Sequence, residues 1–403
     1  GLWSCIENML KILLVSNLYP NDNEPTRGVF TEQIVEKLSR DNMVEVMSPT
    51  PWFPKFLNKF KSSPHKFLPD TCVRKNIKIY HPQYFVIPKI GRWLYGILFF
   101  LGIFNTLRKI KKSFNPDVIN VHWMYPDGFG TVLAAKLLNI PVVTHSLGCD
   151  INEYSQYPSR RFFISLALKM ADFNISVSEE LKRKTIDLGS APDKSISIMN
   201  GVNSELFSPG NQYNLRRELQ LPTDKTIFLY AGNFNIEKGL EVLLRAFSLI
   251  HKENPEARLV IVGSGPLESH IKEVVSELNI AEKLIFVGRV GHEQVIDYLS
   301  AADFLCLPSL REGCPNIVLE SLSSGTPVLA SRVGAVPEMI ASEDKILGLL
   351  SEPNDVVGLS DVLSKSLAMQ WPEELGFTWM DWQQSADKIS DVLHQAIIIN
   401  KKA

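Results

Sequence analysis

Short runs of aliphatic and β-branched residues alternate along the whole chain with longer stretches in which apolar residues recur at helical spacing. This alternation is typical of parallel sheets covered by helices, because consecutive parallel strands need a crossover between them. In the first half the predicted strands are residues 10–16, 43–48, 77–80, 118–121, 141–144, 173–177 and 195–199. In the second half they are residues 226–231, 258–262, 284–287, 303–307, 327–330 and 346–350. The pattern therefore predicts an α/β fold.

The length of the chain predicts two domains. A single hydrophobic core stops growing at roughly 250 to 300 residues, and this chain has 403 residues. Residues 200–210 are rich in turn formers and lack periodicity, so we place the connection there. The predicted domains are residues 1–205 and 206–378, both Rossmann-like, and a last helix over about 379–397 is free to pack back on the first domain. A cleft between the domains is then available to a ligand.

The composition is that of an ordinary globular protein, with 45% hydrophobic and 21% charged residues. The five cysteines are isolated, which predicts neither a zinc site nor a disulfide framework and fits a reducing cytosol. They are Cys5, Cys72, Cys149, Cys306 and Cys314. The longest apolar run, residues 93–104, has 12 residues, whereas a membrane-spanning helix needs about 20. We therefore expect no transmembrane helix, and residues 1–9 lack the features of a signal peptide.

Charge is distributed unevenly along the chain. The net charge is −2, yet residues 46–116 carry +12, with one acid, Asp70, against 13 lysines and arginines. Aromatic and basic side chains interleave there at Trp52, Phe53, Lys55, Phe56, Lys59, Phe60, Lys61, Lys66 and Phe67. Such a segment predicts an anionic partner, either a nucleic acid or a lipid surface. The alternative is that residues 93–104 form a buried core helix and the lysines a solvated rim.

The segment 308–320 carries the richest chemistry. It follows a predicted buried strand and opens a helix at Pro315 that ends at Gly325. A strand, a glycine-containing loop and a helix N-terminus together present free N–H groups and a positive dipole end, where a phosphate binds. Two carboxylates, Glu312 and Glu320, flank this position. They fit beside a phosphate only if they accept hydrogen bonds from hydroxyls, and a nucleotide sugar has hydroxyls on both sides of its diphosphate. The alternative is two solvated surface glutamates.

Further turns at predicted strand ends add candidate residues. In the segment 230–239 a strand ends in a glycine turn, and Lys238 lies where the next helix starts. A lysine there can neutralise a diphosphate leaving group, although a surface lysine is the alternative. Gly263 lies in a glycine-rich turn after the next strand, and such a turn also occurs wherever strand and helix pack tightly. Arg289 and Val290 come directly after the predicted strand 284–287.

These segments resemble the retaining glycosyltransferases of family 4, which have the GT-B fold: two Rossmann-like domains facing each other across a cleft. The resemblance runs over nearly the whole chain and is densest over residues 226–338. It implies that Glu312 contacts the donor sugar, Glu320 holds the ribose and Lys238 acts in catalysis. It also implies donor contacts from Asn233, Gly263, Arg289, Val290, Gly313, Cys314, Pro315 and Asn316. The family usually has arginine where Asn233 stands, so only the charge of Lys238 is kept.

The first half supplies the remaining candidates. Gly28, in the loop after the first strand, would let the backbone approach the donor phosphate. His122 and His145 each end a predicted strand, the edge at which ligands bind in open α/β sheets. The resemblance implies that His122 contacts the acceptor and positions it, and that Asp150 is an acidic residue of the same acceptor-binding region. The alternative for each histidine is a structural side chain.

The sequence contains no D-x-D pair, so we expect neither a catalytic metal nor a cofactor. The resemblance implies retention of anomeric configuration, with the acceptor attacking from the face that the diphosphate leaves. We expect a hexosyltransferase of cell-surface polysaccharide synthesis, acting on a glycan or lipid-linked acceptor. Its expected place is the cytoplasm, peripheral at an anionic inner membrane face, without nucleic acid as a partner.

Three other function classes stay open. A nucleotide-sugar epimerase of the same fold would change its donor without an acceptor. A non-catalytic nucleotide-sugar binder would keep the glutamates and have no turnover. A dinucleotide-dependent oxidoreductase is disfavoured, because no G-x-G-x-x-G follows the first strand.

Overall fold

The computed structural model describes residues 9–24, 27–52, 68–86 and 94–402. The chain forms two compact units. Unit 1 comprises Gly1–Met199 together with Trp382–Ala403, and unit 2 comprises Asn200–Asp381. The division thus falls between residues 199 and 200, at the start of the turn-rich segment 200–210 and a few residues before the sequence-based boundary at 205/206.

Unit 1 is built on an eight-stranded sheet in the order β10-β9-β8-β7-β1-β2-β5-β4. The strands are β1 Lys11–Val15, β2 Met43–Met47, β4 Thr71–Arg74, β5 Ile77–Tyr80, β7 Val118–His122, β8 Val142–Ser146, β9 Phe173–Ser176 and β10 Ser195–Ser197. A separate pair, β3 Thr50–Trp52 and β6 Gln83–Phe85, runs parallel beside it. The central strands β7 and β8 are buried at every position, because helices cover both faces.

The edge strand β4 differs from the predicted pattern. It pairs antiparallel with β5, whereas the sequence pattern indicates parallel strands and does not include β3, β4 or β6. Lys75 and Asn76 connect the two strands with φ values of 47° and 64°. Two successive positive φ angles form the two-residue hairpin turn that matches strand twist. The Lys75-Asn76 dipeptide is a weak signal for this turn, since such turns usually carry glycine at the second position.

Helices flank the sheet of unit 1. They are α1 Val29–Leu38, α2 Tyr95–Ser113, α3 Phe129–Leu137, α4 Cys149–Asn152, α5 Pro158–Met170 and α6 Glu179–Asp187. The core behind β1 and β7 includes Ile12, Leu14 and Val118 on the sheet and Ile34 and Leu38 on α1. Helix α2 turns only one side inward, with Phe99, Ile103, Leu107 and Ile110 buried at helical spacing.

Unit 2 has a six-stranded parallel sheet in the order β13-β12-β11-β14-β15-β16. The strands are β11 Thr226–Ala231, β12 Ala257–Val262, β13 Leu284–Gly288, β14 Phe304–Leu307, β15 Val328–Ser331 and β16 Gly348–Ser351. The helices are α7 Gln212–Glu218, α8 Leu240–Ile250, α9 Glu268–Leu278, α10 His292–Ala301, α11 Asn316–Ser323, α12 Val336–Met339 and α13 Val356–Ala368. The strand order reverses between β11 and β14, which brings the loops after these two strands side by side.

The last helix, α14 Trp382–Lys402, belongs to unit 1 although it follows unit 2 in the chain. Trp382, Ile389 and Leu393 lie in the same core as Ile12 and Leu14 of β1. The hydroxyl of Ser385 donates to the carbonyl of Met199, 2.9 Å away, which fastens the start of the helix. The buried apolar positions of the helix thus pack into the core of the first sheet, whereas Ile398 and Ile399 are exposed.

Candidate active site

The loops after β11 and β14 meet at the switch point of unit 2. The N–H of Leu310 donates to the carbonyl of Glu237 at 2.8 Å, which joins the two loops. Gly239 has a φ of 64°, and a Cβ there would lie 2.0 Å from the carbonyl oxygen of Pro308. Only glycine allows this close approach. The glycine at the end of the 230–239 segment therefore fixes where the preceding lysine lies.

Lys238 and Glu312 form an ion pair across these two loops. The Lys238 Nζ lies 2.7 Å from Glu312 Oε1, and the same oxygen accepts the hydroxyl of Ser309 at 2.6 Å. The side chain of Glu312 is 10% exposed and that of Lys238 is 32% exposed. Glu312 is therefore held in one position by two donors, while the ammonium stays open to solvent. The sequence predicts a role for both charged residues, but it does not predict one for Ser309, a fully buried residue after β14.

The backbone before α11 is held in place by contacts with Gly334 and Ala335. The carbonyl of Gly313 accepts the N–H of Ala335 at 2.8 Å. Gly334 has a φ of 52°, and a Cβ there would lie 2.5 Å from the carbonyls of Glu312 and Gly313. Helix α11 begins at Asn316, one residue later than predicted, because Pro315 has an extended ψ of 105° and serves as its N-cap. The helix ends before Gly325, as the sequence predicts.

Glu320 lies in the second turn of α11 and pairs with a residue that sequence analysis missed. Its Oε1 accepts a hydrogen bond from Nε2 of His292 at 2.8 Å. The carboxylate is 9% exposed, whereas the imidazole is 55% exposed. The hydrogen bond to Glu320 raises the pKa of His292, although burial acts in the opposite direction. His292 is the first residue of α10. It lies two residues after Val290, and no other feature of the sequence indicates that it is part of the site.

Gly263 lies where neighbouring loops pack closely against each other. Its φ is 133°, and a Cβ there would lie 1.9 Å from the carbonyl oxygen of Gly232. Its own N–H donates to the carbonyl of Gly288 at 2.8 Å. The loops after β11, β12 and β13 are therefore packed tightly against one another. This tight packing is the alternative to donor binding that the sequence leaves open for Gly263. Arg289, next in the chain, is exposed, and Val290 is partly exposed.

The remaining donor candidates differ in accessibility. Asn233 is exposed, and its carbonyl accepts the hydroxyl of Tyr230 at 2.8 Å. Asn316 uses its side-chain oxygen to accept from the amide of Asn200 at 2.8 Å. Burial raises the pKa of the Cys314 thiol to about 12, so this side chain is neutral at physiological pH. In Cys314 only the backbone is available for anion binding.

Gly28 in unit 1 is required by the fold itself. It has a φ of 66° and lies directly before α1. A Cβ there would lie 2.2 Å from the carbonyl oxygen of Leu18. The close approach that the sequence suggests is thus made to the protein's own chain, at the loop after β1. The neighbouring Pro25 and Thr26 of the same motif lie outside the described residues.

His122 and His145 end the neighbouring strands β7 and β8 and are buried together. They are partners in register, and their ring centroids lie 4.5 Å apart. Nε2 of His122 donates to the side-chain oxygen of Asn120 at 2.9 Å, because the amide of Asn120 points to the carbonyl of Val143. Among the residues that the structure describes, Nδ1 of His122 and both ring nitrogens of His145 find no hydrogen-bond partner.

Burial lowers the pKa of both histidines, well below the usual value for His122 and to about 3 for His145. Both rings are therefore neutral at physiological pH. Their side chains are 0% and 1% exposed, respectively. Acceptor contact by these two residues stays a prediction.

Asp150, which we expect in the acceptor-binding region, is bonded to three backbone N–H groups. Its two carboxylate oxygens accept the N–H groups of Gly148 at 2.8 Å, Met124 at 2.9 Å and Leu147 at 3.0 Å. The residue is fully buried, and this burial raises the pKa of its carboxyl to about 6. Asp150 therefore ties the loops after β7 and β8 together, and its acceptor-binding role stays a prediction.

Asp127 is a second buried acid that sequence analysis did not select. Its carboxylate accepts the backbone N–H of Asn17 at 2.6 Å and the side-chain amide of Asn17 at 2.7 Å. Burial raises the pKa of this carboxyl to about 7, against the lowering effect of these hydrogen bonds. It joins the loop after β1 to the loop after β7. Asp127 lies five residues after His122, and no pattern in the sequence distinguishes it from its neighbours.

Two family models match consecutive parts of the chain. Residues 33–206 match the model described as Glycosyltransferase Family 4. Residues 211–375 match the model described as Glycosyl transferases group 1. The first match falls on unit 1 and the first residues of unit 2, up to residue 206. The second match falls within unit 2 and covers Lys238, Glu312 and Glu320.

Similar proteins extend over the full length. The putative teichuronic acid biosynthesis glycosyltransferase TuaC of Bacillus subtilis is 28% identical over 397 residues, covering 96% of this chain and 97% of that protein. The solved structure of sucrose-phosphate synthase from Thermosynechococcus elongatus aligns with a TM-score of 0.77 at 22% identity, over 97% of this chain and 100% of that one. Anabaena HepE in complex with UDP aligns with a TM-score of 0.67 at 16% identity, over 98% of both chains.

Proposed function

Since this chain belongs to the family 4 glycosyltransferases with the GT-B fold, we propose that it transfers a hexosyl group from a nucleoside-diphosphate sugar with retention of configuration. The observation that carries this proposal is the Lys238–Glu312 pair beside the start of α11. A cation, a carboxylate and a helix N-terminus at one place match the charges of a nucleotide sugar. The diphosphate is the anion, and the sugar hydroxyls are donors to the carboxylate.

On the donor side, each group has a separate part. The N-terminus of α11 and the ammonium of Lys238 bind the diphosphate and stabilise the charge that develops as it leaves. Glu312, held by Ser309, accepts hydroxyls of the hexose and so fixes the orientation of the anomeric carbon. Glu320 accepts the ribose hydroxyls through the carboxylate oxygen that His292 leaves open. These fixed charges are the basis for expecting transfer without a divalent metal.

The chemistry that fits this arrangement is attack by the acceptor on the face that the diphosphate leaves. The acceptor hydroxyl forms the new bond to the anomeric carbon while the bond to the diphosphate oxygen breaks. Its proton passes to that phosphate oxygen, so no side chain has to act as a covalent nucleophile. Activity is then expected to survive EDTA; complete loss that magnesium restores would contradict the metal-free proposal.

The acceptor proposed is a glycan or glycolipid of cell-surface polysaccharide synthesis. The similarity to TuaC, whose name refers to teichuronic acid biosynthesis, supports this. The proposed place is the cytoplasmic side of the membrane. The epimerase alternative is separated by one incubation: a transferase leaves the donor sugar unchanged without acceptor, whereas an epimerase converts it.

Donor binding is testable without knowing the acceptor. Nucleoside diphosphates should raise the melting temperature through mass action, and UDP is the first to use because the HepE structure contains it. Glu320→Gln should reduce that shift. Glu268→Gln, an exposed residue of α9, is the matched control and should keep it. No shift with uridine, guanosine or adenosine diphosphates would contradict the proposal.

We propose that the outer side of α2 is the surface that binds the anionic partner. Among the described residues, no helix has the length and apolar character needed to cross a membrane. Helix α2 nevertheless exposes Ile97 and Leu101, with Phe100 and Phe104 partly exposed along the same stripe. Arg108, Lys109 and Lys112 are exposed at its C-terminal end. An apolar stripe that continues into basic residues fits an anionic lipid surface.

Other parts of the basic segment are engaged within unit 1. Arg74 pairs with Glu32 at 2.5 Å, and Lys75 pairs with Glu32 and Glu36. The lysines and aromatic residues at 53–67 lie outside the described residues. Sedimentation with vesicles of anionic and neutral lipid tests the proposal. Leu101→Glu with Lys109→Glu should reduce binding to anionic vesicles, and equal recovery of wild type and variant in the supernatant would contradict it.

A further inference from the structure

Helix α11 begins without a side-chain cap of its own. Its N-cap is Pro315, and no hydrogen bond from a side chain caps the helix there. The N–H of Val318 donates to the carbonyl of Pro315 at 3.0 Å. The N–H groups of Asn316 and Ile317 come before it and have no partner within the helix. The direction of these two donors is therefore set by contacts from outside the helix.

Asn200 makes contacts on both sides of this N-cap. Its side-chain amide donates to Oδ1 of Asn316 at 2.8 Å, and its backbone N–H donates to the sulfur of Cys314. Its carbonyl accepts the indole N–H of Trp379 at 3.0 Å. Asn200 is 8% exposed and is the first residue of unit 2. One buried residue thus spans the turn at Pro315 and is itself held by an indole on its other side.

The hydrogen bond from Asn200 fixes the orientation of the Asn316 amide. An asparagine amide has one oxygen that accepts hydrogen bonds and one NH2 group that donates them. Because the oxygen of Asn316 accepts from Asn200, the NH2 group of Asn316 lies on the other side of its amide. Asn316 is partly exposed, so a ligand at the start of α11 can reach this group. Backbone and side-chain donors at one helix end suit a diphosphate.

We propose that Asn200 is a positioning residue for the donor diphosphate, and that it acts through Asn316 by turning the NH2 group of that residue toward the phosphate oxygens. The inference rests on the proposed donor site in unit 2. A neutral amide is needed at position 200, because a carboxylate there can only accept hydrogen bonds. It would draw the NH2 group of Asn316 toward itself and add a negative charge close to the diphosphate.

The test is calorimetric titration of the full chain with UDP, or with whichever nucleoside diphosphate binds. Asn200→Ala should weaken binding about tenfold, because the diphosphate loses a well-directed hydrogen bond to a charged group. Asn200→Asp should weaken it about thirtyfold or more, since it also adds charge repulsion. Asn203→Asp is the matched control and should bind like wild type. It is exposed, and its side-chain oxygen still accepts the N–H of Leu206.

A double-mutant cycle separates positioning from a general structural role. Asn316→Ala should also weaken UDP binding about tenfold. The double variant Asn200→Ala/Asn316→Ala should lose about tenfold rather than about a hundredfold, because either change removes the same hydrogen bond to the diphosphate.

Asn316→Asp tests the same group without changing Asn200. Its carboxylate still accepts from the amide of Asn200 and lacks only the NH2 group, and an acid is favourable in the first turn of a helix. The variant should therefore keep the Tm of wild type and lose UDP affinity, even where the Asn200 variants are unstable.

Three results would overturn the inference while the proposed function stands. They are wild-type UDP affinity in Asn200→Ala and Asn200→Asp, an additive loss of about a hundredfold in the double variant, and wild-type UDP affinity in Asn316→Asp. If the wild-type protein binds no nucleoside diphosphate, the proposed function fails and the inference fails with it.

Discussion

The two units treat their polar groups in opposite ways. In unit 2, Lys238 and His292 are open to solvent and each is paired with a nearly buried glutamate. In unit 1, His122, His145 and Asp150 are fully buried, and the histidines are held neutral. The charged pairs of unit 2 are poised for an anionic ligand. In unit 1, the buried Asp150 instead ties the loops after β7 and β8 together.

This difference predicts that Lys238 has the largest effect on turnover. Lys238→Ala should lower kcat about 100-fold or more, because the leaving diphosphate loses its main cationic partner. Steady-state kinetics at saturating donor measure it. Lys272→Ala on α9, an exposed lysine paired with Glu268, is the matched control and should retain full activity. A kcat within threefold of wild type would remove Lys238 from the mechanism.

Glu320 should act on donor affinity rather than on turnover. Glu320→Gln should raise the donor KM about tenfold or more, because hydrogen bonds to a charged acceptor are worth roughly 1.5–3 kcal/mol. Its kcat should change little, since the ribose is remote from the bond that breaks. If kcat falls while KM stays constant, Glu320 contacts a different part of the substrate.

The buried histidines should appear in the pH dependence of stability. The folded-state pKa of His145 lies below its unfolded value, so the unfolded state takes up the proton as the pH falls below about 6.5. His145→Leu should therefore gain stability relative to wild type by about 1.4 kcal/mol per pH unit below 6.5.

Chemical denaturation of both proteins at pH 7, 6 and 5 measures this gain. Comparing the two proteins cancels the opposite contributions of Asp127 and Asp150, whose raised pKa values favour the folded state in acid. A difference in unfolding free energy that stays constant over this range would mean that His145 is accessible and titrates normally.

The smallest expected effect concerns His292. Its protonated ring donates a charge-assisted hydrogen bond to Glu320, and the neutral ring donates a weaker one. The wild-type donor KM should thus rise about threefold as the pH passes above the raised pKa of His292. His292→Gln keeps a donor without titrating, so its KM should be independent of pH. Equal pH profiles for the two proteins would separate His292 from donor binding.

The sequence predicted the regular part of the fold well because both sheets are built from buried β-branched runs. The strand β4 was missed, since its residues alternate in exposure and pair only through the hairpin at Lys75 and Asn76. The motif around Glu312 was recognisable because one loop contains it. His292 was not, because only the packing of α10 beside α11 brings it to Glu320. Burial of His122 likewise depends on loops that cover the strand end, which strand periodicity does not encode.

We propose that unit 2 binds the two ends of the donor, the hexose and the diphosphate, with different residues. The most direct test is calorimetric titration with UDP and UDP-glucose, or the corresponding pair for whichever nucleoside diphosphate binds, in wild type, Glu312→Gln and Lys238→Ala. We expect Glu312→Gln to remove most of the extra affinity that UDP-glucose has over UDP, and to leave the binding of UDP itself intact. Lys238→Ala should weaken both ligands about equally. Unchanged binding of both ligands in both variants would contradict the assignment of the donor site.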